Sequence, residues 1–135
     1  MLNPNIEIKK WFYTNLVSAT SLGVYDGFAP DGVGNEYIIL DGRTSSQEQG
    51  KEGYTNAITI IVDIVTKNAN FGYKRAETIS NLVLAAINSD TTITLSNGFT
   101  SSALSVGSVR NLDGLNPLDN VFRTIITYNI IITQN

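Results

Sequence analysis

The sequence predicts an α+β domain, an antiparallel or mixed β-sheet with two helices packed on one face, and three observations predict it. Tyr54 to Thr66 places Ile58, Ile60, Val62 and Ile64 on one face and Thr59, Ile61, Asp63 and Val65 on the other, the two-residue period of a strand with one apolar side. Val121 to Thr133 repeats the arrangement, with Phe122, Thr124, Ile126, Tyr128, Ile130 and Ile132 on one side and Arg123, Thr127 and Asn129 on the other. Two further stretches carry apolar residues at three- and four-residue spacing, the mark of helices that need a sheet to cover.

Taken in order, Asn3 and Pro4 suit the start of a helix, Asn3 as N-cap and Pro4 at the first helical position. Ile8, Trp11, Phe12, Asn15, Leu16 and Ala19 then form a stripe over about residues 4 to 18. Thr20 to Gly34 is turn-rich, and within it Leu22, Val24 and Tyr25 suggest a short strand. Glu36 to Leu40 reads as another strand. Asp41 to Gly53, DGRTSSQEQGKEG, contains no aliphatic residue, so we expect a mobile loop there, of a length that is often functional.

The long central strand follows, and then Tyr73, Ala76, Ile79, Val83, Ala86 and Ile87 mark a helix over about 73 to 88, ended by Asn88-Ser89-Asp90. Thr91 to Phe99 carries a hairpin signal, with Asn97-Gly98 suited to a type I′ turn. Ala103 to Asn111 suggests one more strand around Leu104, Val106 and Val109, so the region from about 90 to 120 reads as a hairpin-rich insertion before the last strand. Strands of about a dozen residues are roughly twice the usual length. They suit either a long monomeric sheet or one that continues into a neighbour.

Composition narrows the function. The 135 residues favour one domain spanning 1–135, and only 16% are charged, so polarity comes from Asn, Thr, Ser and Gly. Such a surface loses little ion hydration when another subunit covers it. The net charge of −3 and the dispersed Lys and Arg form no nucleic-acid stripe. The absence of Cys and His removes thiolate chemistry, disulfides, the commonest metal ligands and the usual neutral-pH proton shuttle. The opening residues do not form a signal peptide and no stretch reaches roughly eighteen apolar residues, so we expect a soluble protein with no membrane span.

Candidate chemistry is sparse. Asp26-Gly27 and Asp31-Gly32 lack the ligand series of a calcium loop and read as turns. Glu48 and Glu52 lie in a polar segment that would not hold a catalytic carboxylate pair in place. Neither a GxxxxGK[ST] loop nor a GxGxxG fingerprint is present, and the Ser101-Ser102 and Ser105 hydroxyls have no His to activate them. We therefore expect no enzyme, metal or cofactor. Asp63 is the one carboxylate in an apolar strand, and it either pairs with Arg123 across the sheet or simply points to water. The residues expected to mediate interaction are Arg43, Gln47, Glu48, Lys51 and Glu52 of the polar segment, with Ile61, Asp63 and Arg123 of the long strands.

The order of elements resembles the tail-terminator, or tail-completion, family of long-tailed bacteriophages. The texture that carries it includes VYDGFAP before EYIIL, then ITIIVDIVT, GYKRAETISNLVLAAI and RTIITYNI, and it covers nearly the whole chain. Gly72 and Tyr73 fall at the turn into the family's central helix and Arg123 in its last strand. The 90–120 region is larger than the family pattern. The resemblance implies a ring, typically a homohexamer, at the head-proximal end of the tail tube, where it stops tube growth and faces the neck. It implies as partners other copies of the chain, the tail tube protein and the neck or connector proteins, with DNA passing through the lumen without sequence-specific binding. The location implied is the virion tail or neck, after assembly in the host cytoplasm. A stopper, an adaptor, a tube subunit and a stand-alone ligand-binding domain are the alternatives.

Overall fold

Both long alternating stretches lie side by side at the centre of one sheet. The computed structural model describes residues 5–50, 53–67, 73–89, 98–113 and 121–134, together with 91, 93 and 95. Its elements are α1 (Asn5–Thr20), β1 (Gly23–Asp26), β2 (Glu36–Gly50), β3 (Gly53–Thr66), α2 (Lys74–Ala86), β4 (Phe99–Asp113) and β5 (Phe122–Gln134). The strand order is β1-β2-β3-β5-β4. β1 runs parallel to β2 and every other neighbouring pair is antiparallel, so the sheet is mixed, with both helices on one face of a single α+β domain.

The core is the helix-facing side of the sheet. Ile58, Ile60, Val62 and Ile64 of β3 stand opposite Ile130, Tyr128, Ile126 and Thr124 of β5, and all eight side chains are buried. Ile8, Phe12 and Leu16 of α1 and Ala76, Ile79 and Val83 of α2 close over them. The Phe12 ring lies 5.3 Å from that of Tyr128, whose hydroxyl donates to the Ile87 carbonyl at 2.9 Å beyond the end of α2. Burial pushes the Tyr128 phenol well above its ordinary value. Close approach of α1 to β2 uses Gly42, because a Cβ there would stand 2.9 Å from Lys9 Cε and 3.1 Å from Ile60 Cδ1.

Two expectations need correction. Residues 41–50 do not form an unstructured loop: they continue β2, paired with β3 from Asp41↔Ile61 to Gly50↔Gly53, with a bulge between Thr44 and Ser46. A ladder satisfies backbone donors and acceptors whatever the side chains are, so pairing with the apolar β3 supplies what the polar segment lacks by itself. Lys51 and Glu52 lie outside the described residues, as do Asn3, Pro4 and Gly72.

The second correction concerns the 90–120 region. Among its described residues it contributes one long edge strand, β4, paired with β5, and Thr91, Ile93 and Leu95 are not in a strand. Thr91 closes α2 instead: its hydroxyl donates to the Ala86 carbonyl at 3.3 Å and accepts from the Asn88 N–H at 2.9 Å. Ile93 is buried against the core and Leu95 packs beside it. Gly98 has φ +78°, the left-handed value expected of it, while Asn97 and residues 114–120 lie outside the described residues.

Candidate functional site

With both helices on one side, the other face of the sheet is open. Register places Tyr37 and Ile39 of β2, Ile61, Asp63 and Val65 of β3, and Arg123, Ile125 and Thr127 of β5 on that face. Tyr37, Asp63, Val65 and Ile125 are nevertheless buried, although they belong to no part of the helix-side cluster. Their neighbours cover them. The Tyr25 ring lies 6.3 Å from Tyr37, and Lys67 Nζ sits 5.3 Å from the centre of the Tyr37 ring.

Asp63 stands directly opposite Ile125, which makes Arg123 its diagonal neighbour. Of the two sequence readings, the pair is the one present. Arg123 Nε donates to Asp63 Oδ1 at 3.2 Å and Nη2 donates to Oδ2, a fork on both carboxylate oxygens. The hydrogen bond from Asp63 outweighs burial and raises the Arg123 pKa above its already high ordinary value, so the guanidinium stays charged. Farther along the same face two neutral pairs join β3 to β5. Thr59 Oγ1 donates to Asn129 Oδ1 at 3.2 Å, and the Thr55 and Thr133 hydroxyls lie 3.4 Å apart.

Of the other expected interaction residues, Ile61 is half-buried two positions before Asp63. Arg43, Gln47 and Glu48 stand in β2 opposite Thr59, Asn56 and Thr55 of β3. Their side chains, and all of Lys51 and Glu52, lie outside the described residues. The structure thus brings Ile61, Asp63 and Arg123 together and puts the backbone of the polar segment on the same sheet.

The sheet ends in two edge strands, which sequence patterning did not single out. β1 is four residues long and pairs with β2 from Tyr37 to Leu40. β4, fifteen residues long, is the other edge. Val106 and Val109 of β4 stand opposite Tyr128 and Ile126, so they lie on the helix side, yet 37% and 48% of their surfaces are exposed. A register shift between Val106 and Ser108 puts these residues, three apart, on one face. Gly107 within an apolar run was the readable signal of that bulge.

At the opposite edge a groove of about 610 Å³ runs between α1 and β1. Val24 and Leu40 form its floor, and Ile6 and Tyr13 of α1 stand on its flank with 61% and 51% of their surfaces exposed. Lys9 Nζ bonds Asp26 Oδ1 across it at 2.9 Å. A smaller recess of about 290 Å³ between α2 and β4 is crossed by a polar chain: Thr124 Oγ1 donates to Asn111 Oδ1 at 2.8 Å, and Asn111 Nδ2 donates to Glu77 Oε1 at 2.9 Å. Among the described residues no group of three or more His, Cys, Asp or Glu is placed to hold a metal ion. No described helix is long and apolar enough to cross a membrane.

No protein-family model matches the chain, and no curated protein matches it. A solved structure does. A chain in the virion of the native gene transfer agent (GTA) particle superimposes with a TM-score of 0.79 at 15% identity, over 98% of this chain and 99% of that one. At this identity the likeness establishes the shared fold from end to end.

Proposed function

We propose that the chain is a structural subunit of a phage-like virion, forming a ring at the head-proximal end of the tail tube that ends tube growth and joins the tail to the neck. The observation that carries this reading is the end-to-end fold likeness to a virion protein, with no large insertion on either side to house a separate activity. The surfaces described above suit such work. Two different sheet edges at opposite sides of one subunit favour a head-to-tail contact, which generates a closed ring when its rotation closes. A hexamer fits the sequence resemblance.

In this reading the polar half of β2, including Arg43, Gln47 and Glu48, meets the tail tube or the neck proteins. The open face bearing Ile61, Asp63 and Arg123 helps shape the assembled wall. DNA passes the ring without sequence-specific contact. The ring works in the virion and is assembled in the host cytoplasm. Tail tube subunit is the second reading, because open edges serve repeated addition as well as a single layer.

The test is negative-stain electron microscopy and mass measurement of the purified protein, alone and after adding tail tubes. Closed rings or one added layer at tube ends are expected. Unlimited tubes would transfer the assignment to a tube subunit, and a monomer that ignores tube ends would overturn both.

A further inference from the structure

Two exposed apolar patches lie on the same layer of the molecule, at its two opposite edges. Val106 and Val109 project from β4 on the helix side, where α2 stops short of covering them. Ile6 and Tyr13 flank the groove between α1 and β1, also on the helix side, above Val24 and Leu40. Each patch borders an edge strand. Apolar patches beside open strand edges favour a covering strand, because backbone pairing and side-chain burial are satisfied together.

Strand direction decides which strand fits. β1, β2 and β5 run one way and β3 and β4 run the other. Rotation about a ring axis along the strands preserves their direction, so β4 of one copy meets β1 of the next antiparallel, the more stable pairing. With the helix layers on the same side, this contact brings Val106 and Val109 against the exposed Ile6 and Tyr13.

We infer that the α1–β1 edge is the seat for β4 of a second copy of this chain, with Val106 and Val109 packed against Ile6 and Tyr13 outside the Lys9–Asp26 ion pair. This inference rests on the ring reading and specifies its lateral contact. Both sides of the contact are supplied by one sequence, and the edge is incomplete without its neighbour's strand. The patches differ from one another, so the contact propagates around a ring and does not close as a two-fold dimer.

The chain contains no cysteine, so cysteine pairs report contacts without background. Four double variants combine Ile6→Cys or Tyr13→Cys with Val106→Cys or Val109→Cys, and the single variants serve as controls. Each is oxidised or treated with a short bis-maleimide, alone and with tail tubes, after circular dichroism confirms the fold. At least one double variant is expected to give a covalent ladder ending at the ring mass, and the single variants are expected to stay monomeric on the gel. Rings without a ladder from any pair would overturn the seating and leave the ring reading intact. Single variants that cross-link to dimers would mean a two-fold contact, and cross-links only to tube protein would give the edge to another partner; either overturns the inference. A monomer in every condition would overturn the ring reading and this inference together.

Discussion

Replacing Asp63 by Asn and Arg123 by Ala, singly and together, tests how the open face of the sheet is held. Asp63 is 8% exposed and its two oxygens receive the Arg123 fork, while its direct neighbours across the sheet are Ile39 and Ile125. A hydrogen bond to a charged group contributes about 1.5–3 kcal/mol, and a fully exposed pair contributes at most about 1 kcal/mol. This pair stands between those limits, because the Arg123 side chain retains 34% exposure whereas that of Asp63 retains 12%. Asp63→Asn keeps the shape and one acceptor, so the expected loss is about 2 kcal/mol. Arg123→Ala leaves a buried carboxylate unpaired and also loses contact of the arginine stem, for a loss of about 2–3 kcal/mol. The double variant should lose about 3 kcal/mol, a coupling of about 1–2 kcal/mol. Urea denaturation read by circular dichroism measures all four corners, and a melting point lower by roughly 8 °C is expected for Asp63→Asn. Losses that add to within about 0.3 kcal/mol would refute the claim that the two side chains act as a pair.

Four further outcomes are expected. Tyr128→Phe removes the bond to the Ile87 carbonyl and should cost about 1 kcal/mol at neutral pH, measured by the same denaturation. Because the folded phenol titrates above the ordinary value of 10.0, the folded state holds its proton longer than the unfolded chain. Wild-type stability should therefore fall as pH rises above about 10, by up to about 1.4 kcal/mol per pH unit, and Tyr128→Phe should lose that component of the slope. Asn56 is 2% exposed and its Nδ2 has no hydrogen-bond partner among the described residues, so Asn56→Leu should raise stability by about 1 kcal/mol, and a lower melting point would contradict this. Phe12→Ala opens a cavity under α1 and should cost about 3–5 kcal/mol in chemical denaturation.

The two helices and the two central strands were legible because each carries one continuous apolar face whose period shows in the sequence. Ile8, Phe12 and Leu16 mark α1, and Ile58 to Ile64 mark β3 as plainly as any cap or turn. The Asp63–Arg123 pair was legible as one of two readings, since a carboxylate in an apolar strand either finds a partner or points to water. The continuation of β2 through Arg43, Gln47 and Glu48 was not, because its strand structure comes from pairing with β3 and leaves no apolar alternation behind. Thr91 misled for a related reason. A Thr-rich run suits a strand by propensity, but the nearby end of α2 had carbonyls to satisfy and the Thr91 hydroxyl was in reach. The edge groove was hidden because Ile6, Tyr13 and Val24 come together only in the tertiary fold, and the bulge between Val106 and Ser108 was missed because Ala103 to Asn111 reads as a plain strand.

Growth of tail tubes in the presence of increasing amounts of this protein tests the proposed role most directly. Tube lengths measured by electron microscopy should stop increasing once each growing end carries one added layer, and later tube protein should not extend capped ends. Tubes that keep lengthening, with this chain incorporated along them or absent from their ends, would contradict the account.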